Sequence, residues 1–504
     1  MIEIFTVLFG MFCAAMEALI TATLLPSMIS SLGEMHLYPW VINSFGLTFI
    51  LAVPFFGKLC DAYSYKKVYF AAVSIFIVGS LLCGFATSMP QLIFFRAIQG
   101  IGSGGLITLG VAYFGFFPIE KRAKMQAMVS FVWAFASIIG PVIGATLAEA
   151  FSWRWAFFMN VPAGLLVMSL MALFVKPIQK EKQRALLDIK GGIVFALGMM
   201  ALFYALISIG KLQFSFVQIA SAVVGTAFLS YFIKYSLETP NPFIPISMLK
   251  NRFILIAVML GFMAGFFIFC VANFLPLFVQ GVLGQSAMTS GKVIVAMAFG
   301  SVVGASISGG FLNRLGFQSI ALIGAVLLVI GFALFSRINS YASLSDLAIA
   351  CFLVGAGVSA MANCGIIAVQ ASTPKALTGS ATSLFQFSRS LGSNIGIAVM
   401  GGLQLGQFRR GIELAIDDPT IAQLAETPQR IFNAATHAVL PAQQVQAFKD
   451  VLAHSIQDVF LGCLLIALLA VGVAIRMSSK KPKEFAEIAN PILSEIPNPI
   501  LPMK

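Results

Sequence analysis

Glu17, Arg96 and Arg389 each interrupt a long run of apolar residues. Burying an unpaired charge is costly, so each needs a partner or a function. Glu17 is flanked by Ala14, Ala15, Met16 and Ala18. A carboxyl group held there can take a proton from one side of a barrier and release it to the other, and when ionised it attracts a cation. The plainer alternative is a neutral Glu hydrogen-bonded to a neighbouring helix. Arg96 keeps its proton in practice, so it must meet carbonyls, water or a carboxylate. Arg389 lies within Gln386-Phe387-Ser388-Arg389-Ser390-Leu391-Gly392, close enough to a helix end for its long stem to carry the charge out of the apolar layer. Lys292 stands near a helix end and reads the same way.

A second chemistry is readable in Gly57-Lys58-Leu59-Cys60-Asp61-Ala62-Tyr63-Ser64-Tyr65-Lys66-Lys67. Gly57 reads as a helix end. Asp61 can accept hydrogen bonds from the N-terminus of a neighbouring helix, where the dipole favours an anion. The Lys66 and Lys67 pair can hold one side of a membrane by charge. Together these form a latch that stabilises one conformation and releases in another. Residues 309–316 echo the pattern: Gly309 matches Gly57, Asn313 matches Asp61, and Arg314 and Gly316 stand where Ala62 and Ser64 do. A weak internal repeat of this kind suggests two related halves.

The elements that must position these groups are membrane helices. Of 504 residues, 59% are hydrophobic and 10% charged, with a mean hydropathy of +0.96. A soluble domain carries about 25% charged residues, so water-soluble folds are excluded. A bilayer-crossing helix needs about 20 mostly apolar residues. Such runs lie near 4–26, 39–56, 68–87, 90–114, 125–149, 155–175, 190–209, 214–233, 254–279, 288–308, 318–336, 345–369, 380–404 and 455–476. The spacing predicts an all-α integral membrane protein of about fourteen helices. With the N-terminus inside, the inner side receives 21 of the 31 Lys and Arg, as the positive-inside rule requires. Both termini are therefore expected in the cytoplasm. The net charge of +12 then reflects inner loops facing anionic lipid, and no nucleic-acid partner is implied.

The expected organisation has a first six-helix bundle at 1–175, a charged cytoplasmic linker at 176–189, and two inserted helices with an inner loop at 190–253. A second six-helix bundle follows at 254–476, with a polar external segment at 406–453, and the tail is 477–504. No cleavable signal is expected, since the first basic residue is Lys58 and a positive n-region is missing. The seven Cys include no CxxC pair, so they read as small buried hydrophobes rather than zinc ligands or disulfides.

Along nearly the whole length the chain resembles the fourteen-helix, EmrB/QacA-type drug:proton antiporters of the major facilitator superfamily. The resemblance rests on several stretches in order. Met16-Glu17-Ala18-Leu19-Ile20-Thr21-Ala22-Thr23-Leu24-Leu25-Pro26 is similar to the family's acid-containing first helix. Trp40-Val41 opens the second, and 57–67 resembles the signature loop. Arg96-Ala97-Ile98-Gln99-Gly100 is similar to an Arg-x-x-Gln-Gly signature, and Gly140-Pro141-Val142-Ile143-Gly144 to the antiporter signature. Ser152-Trp153-Arg154-Trp155 and Asn160-Val161-Pro162-Ala163-Gly164 follow. The chain departs from the pattern at Ser64, where Gly is expected, at Ala145, and in lacking an Arg after Asp61.

The resemblance implies two six-helix bundles plus two extra helices, rocking about a midplane site. It implies proton coupling at Glu17 and Arg96, with Arg96 acting by its field on a nearby acid or as a structural clamp. It also implies a leak-limiting role for Gly140, Pro141 and Gly144 in a bent helix between the halves. The cavity would be lined by the first, second and fifth helices and the start of the second half, which makes Glu17, Asn43, Trp133, Asn273, Gln280, Gln386 and Arg389 candidates for substrate contact. The 48 Phe and 22 Met can supply adaptable apolar walls. The expected function is proton-coupled export of small amphipathic or cationic compounds, as in multidrug efflux, from a bacterial inner membrane. The alternative is a dedicated exporter of one metabolite such as a siderophore. A periplasmic adaptor protein is an implied partner, met by 406–453. No cofactor or metal is implied. An enzyme is not expected, because the three His are not spaced as HExxH and no P-loop motif is present. No soluble signalling domain supports a sensor.

Overall fold

The computed structural model describes residues 2–34, 37–175, 188–207, 216–415, 442–482 and 484. Every regular element among them is helical. The first group is α1 (Ile2–Leu32), α2 (Tyr38–Ala62), α3 (Tyr65–Gly84), α4 (Met89–Gly115), α5 (Ile119–Ala150), α6 (Trp155–Phe158) and α7 (Asn160–Phe174). Next come α8 (Ile189–Ile207) and α9 (Phe216–Glu238), then α10 (Arg252–Gly281), α11 (Ala287–Phe335), α12 (Leu344–Ala371), α13 (Thr378–Ala415) and α14 (Ala442–Ile475).

Eleven stretches among the described residues are long and apolar enough to cross a membrane, α6 and α7 together forming one of them. The longest stretch, Met288–Phe335, is two helices joined at Gly316, whose φ of 81° and ψ of 173° break the helical path. Dividing it there and adding α8 and α13 brings the number to fourteen. α13 falls short on composition because polar residues such as Gln386, Ser388, Arg389 and Ser390 interrupt it; of these, Gln386 and Arg389 face a cavity and Ser388 bonds to the Val258 carbonyl.

Two bundles are evident. In the first, α4 sits against α2, α3 and α1, while α1 also contacts α5 and α7. In the second, α10 contacts α12, α13 and α14, and α11 contacts α12 and α14. The seam between them is made by α5 with α11 and α12, and by α2 and α4 with α13. α8 and α9 pair with each other, and α8 touches α2 and α13 from outside, with the Phe195 and Phe387 rings 5.2 Å apart. Large apolar side chains such as Phe5, Phe94, Leu173 and Phe216 are exposed on the outside, which is unfavourable in water and suits lipid.

Some boundaries differ from the sequence reading. α2 runs through Gly57 to Ala62, so Gly57 is a contact point and not a terminator. The expected break between residues 308 and 318 narrows to Gly316, where the segment after α14 supplies partners: Gln318 N–H donates to the Ser478 carbonyl at 2.9 Å. The flanks of the expected external segment are helical, α13 reaching Ala415 and α14 starting at Ala442, with the Phe408 and Phe448 rings 5.0 Å apart. The expected adaptor contact falls largely on 416–441, and most of the linker on 176–187; both lie outside the described residues.

Candidate transport site

The helices of the first bundle approach one another closely. A Cβ on Gly102 would stand 2.3 Å from the Phe76 amide nitrogen, and one on Gly104 would stand 2.5 Å from the Phe49 carbonyl. Only glycine allows α4 to lie this near α3 and α2 at once. Arg96 sits on that helix, 1% exposed, and meets Glu17 on α1, which is fully buried. Arg96 Nη1 donates to Glu17 Oε1 at 2.6 Å. The two intramembrane charges that the resemblance assigns to proton coupling are thus in direct contact.

Further polar groups complete the pair. Arg96 Nη1 also donates to Gln99 Oε1 at 2.6 Å, and Gln99 Nε2 donates to Ser80 Oγ at 2.7 Å. The guanidinium lies 4.1 Å from the Phe45 ring centre. Asn160, at the start of α7, donates from Nδ2 to Glu17 Oε2 at 2.5 Å. Thr21, one turn on, donates to Glu17 Oε1 at 3.4 Å. Asn160 Oδ1 is buried and has no partner among the described residues. An amide carries both donor and acceptor, so turning it over lets the same residue serve a carboxylate or a protonated carboxyl. Thr21, Gln99 and Asn160 lie in the quoted motifs, but their sequence neighbours gave no sign that they converge on Glu17. Ser80 and Phe45 had no distinguishing signal.

A cavity of about 230 Å³ lies between the bundles. α1, α4, α5 and α10 to α13 contribute to its wall. Of the residues expected there, Trp133, Gln386 and Arg389 are present. Glu17 is not, because the wall takes Leu19, and two residues are a turn of about 200° round a helix. Asn43 is not, because α2 gives nothing to the cavity and packs on α4 and α13 instead. Asn273 is exposed and bonds back to the Phe269 carbonyl of its own helix at 2.8 Å. Gln280 lies further along α10, away from the wall. Gly140 and Gly144 face α1 rather than the other bundle: a Cβ on Gly144 would meet Ile20 and Thr23 at 2.6 Å. These two glycines of the antiporter-signature stretch therefore pack within the first bundle beside the Glu17 segment, and the Pro141 side chain lies outside the described residues.

The seam is closed at the end that holds residues 57–67. Asp61 accepts there from the first turn of α13, Oδ1 from Gly379 N–H at 2.8 Å and Oδ2 from Ser380 N–H at 2.6 Å. This is the helix N-terminus expected for it, now identified. A Cβ on Gly57 would stand 2.2 Å from Ser383 Oγ, so glycine lets α2 reach α13. The repeat works in the mirror position, where Asn313 Nδ2 donates to the Glu120 carbonyl on α5 at 3.3 Å. Arg122 Nη1 adds a bond to the Gln370 carbonyl at 3.0 Å, and Gln370 Nε2 reaches the Val111 carbonyl at 3.3 Å. Neither Arg122 nor Gln370 carries a distinguishing signal in the sequence. Lys66 stays within the first bundle, donating to the Ala172 carbonyl at 2.7 Å, and so caps α7. Lys67 and Arg314 are exposed.

Charge-assisted bonds of the Asp61 kind contribute about 1.5–3 kcal/mol each. Asp61→Asn is therefore expected to shift the seam toward opening by about tenfold or more. Cys60 is fully buried beside it, so site-resolved maleimide labelling of Cys60 reports the change. Unchanged labelling would show that Asp61 does not hold the seam.

Comparisons with known proteins bear on the same geometry. A family model described as Major Facilitator Superfamily matches residues 7–397. The chain is 32% identical over 492 residues to Multidrug resistance protein 3 of Bacillus subtilis (strain 168), covering 95% of this chain and 96% of that protein. It is 29% identical over 403 residues to Multidrug transporter protein MdtP of the same organism, covering 78% and 73%. In fold it is similar to the proton:xylose symporter XylE, with a TM-score of 0.59 at 14% identity over 96% of this chain and 98% of that one. The human organic anion transporter MFSD10 gives 0.59 at 14% identity, over 92% and 98%. With its two bundles, its central cavity and its match over most of its length, the chain belongs to the Major Facilitator Superfamily, as a multi-pass membrane transporter of small molecules.

Proposed function

We propose that this transporter is a proton-coupled antiporter of the fourteen-helix drug:proton type, exporting small amphipathic compounds across a bacterial inner membrane with both termini in the cytoplasm. The observation that carries the reading is the Glu17–Arg96 pair, sealed in one bundle and separate from the cavity wall. An acid in that position exchanges protons without contacting the exported compound. Coupling then runs through conformation: proton and substrate favour opposite openings of the seam, so the gradient of one moves the other. Two multidrug proteins among the relatives support export and breadth. The distribution of Lys and Arg supports the orientation, since the end that holds Asp61 also carries most of the basic residues.

The test is transport in proteoliposomes with an imposed pH step. Uptake into vesicles with an acidic lumen, collapsed by a protonophore, is the expected result. Uptake that ignores the pH step rules out antiport.

A further inference from the structure

Arg389 is the one charged residue among those lining the central cavity, and no Asp or Glu shares the wall with it. It has no carboxylate partner among the described residues. Leaving a guanidinium without a counter-charge in a low-dielectric site is unfavourable unless water or a ligand completes it. Across the cavity, on α5, Gln126 is 2% exposed, and its Nε2 has no hydrogen-bond partner among the described residues. Gln126 also belongs to the cavity wall. One bundle thus offers an unused N–H donor and the other an unused cation. Between them the wall is largely apolar, with Trp133, Ile268, Met297 and Phe385.

From this we infer that the cavity takes amphipathic anions, compounds with a carboxylate or sulfonate head on a one- or two-ring apolar body, in preference to cations of the same shape. The inference rests on the export reading for its physiological meaning, but it concerns the cavity alone. The anionic head sits between Arg389 and Gln126, which serve it as donors, a guanidinium being suited to bidentate bonds with carboxylate or sulfonate oxygens. The apolar body lies against Trp133 and Phe385. A cation in the same place meets the field of Arg389 with no acid to offset it. Glu17 does not supply that acid, since it faces away from the cavity and is held by Arg96. The head also bridges α5 of one bundle and α13 of the other, so its binding is sensitive to how the seam is set.

The experiment compares two probes matched in ring and size, naphthalene-2-sulfonate and 2-naphthyltrimethylammonium. Binding to the full-length purified protein is measured by calorimetry. The parent is expected to bind the sulfonate about tenfold more tightly than the ammonium, the gain of one charge-assisted contact. Arg389→Gln is expected to remove the preference, Arg389→Lys to keep it in weakened form, and Gln126→Leu to weaken the sulfonate alone. A parent that prefers the ammonium overturns the inference, as does sulfonate affinity unchanged in Arg389→Gln. Should Arg389→Gln fail to fold, unchanged sulfonate affinity in both Arg389→Lys and Gln126→Leu overturns it equally. The pH-step assay separates this from the export reading. Arg389-dependent sulfonate binding with transport blind to the pH step keeps the cavity assignment and removes proton coupling. Proton-driven export of the ammonium with no sulfonate binding does the reverse.

Discussion

Glu17→Gln is expected to end concentrative transport while leaving passage through the protein intact. The substitution keeps the shape of the side chain and its ability to bond Asn160 and Thr21, but removes the group that gains and loses a proton. If one proton is exchanged per substrate, a pH step of one unit holds a concentration ratio of about tenfold at balance, since each unit is worth about 1.4 kcal/mol per proton. A transporter with no differential proton binding holds none. The variant is therefore expected to bring substrate to equal concentrations on both sides and stop there, at any imposed pH step. Measuring the final ratio, rather than the initial rate, separates lost coupling from lost activity. A variant that still builds the parent's ratio would remove Glu17 from the coupling mechanism.

Arg96→Met carries the largest expected cost to the fold. Removing one member of a buried ion pair commonly costs about 3–5 kcal/mol, because the other is left unpaired. Here the loss also removes the 2.6 Å bond to Gln99 Oε1 and leaves that oxygen only the weak Cys83 thiol donor at 3.9 Å. Replacing both charges with neutral groups avoids the stranded charge, and such double changes are often close to neutral. Glu17→Gln combined with Arg96→Met is thus expected to recover much of the stability that Arg96→Met loses. Unfolding of the four proteins in detergent gives the coupling directly. Strictly additive losses would mean that the pair contributes nothing as a pair, and that Arg96 matters only for packing against Phe45.

Much of this architecture is written in the sequence because the bilayer leaves few options. Backbone groups in hydrocarbon must be bonded within a helix, so apolar runs of sufficient length give the spans almost directly. The Asp61 capping contact was legible for a similar reason: an acid in a short segment between two helices has few partners as favourable as a helix N-terminus. Gly57 was misread because a glycine near a boundary has two uses, ending a helix or letting another helix approach, and only the neighbour distinguishes them. Glu17 and Arg96 stood out by charge, but their direct contact did not, since 79 positions separate them and the glycines that bring α4 inward look like any others. The cavity was the least legible part. Asn43, Asn273 and Gln280 are polar residues in apolar helices, and so is Gln386. Which of them faces the cavity depends on helix rotation, set by packing across the whole bundle. Gln126 carries no such signal, because a Gln near a helix end looks like an ordinary boundary residue.

The central claim is that a single sealed carboxyl group links protons to the opening of the seam. Its most direct measurement is the pH change when naphthalene-2-sulfonate or 2-naphthyltrimethylammonium is added to the purified, weakly buffered protein. Antiport requires that substrate binding disfavour proton binding. The parent should acidify the solution in a saturable way with whichever probe it binds, and Glu17→Gln should bind that probe with no pH change. A parent that binds without releasing protons, or a variant that releases as many as the parent, would contradict the account.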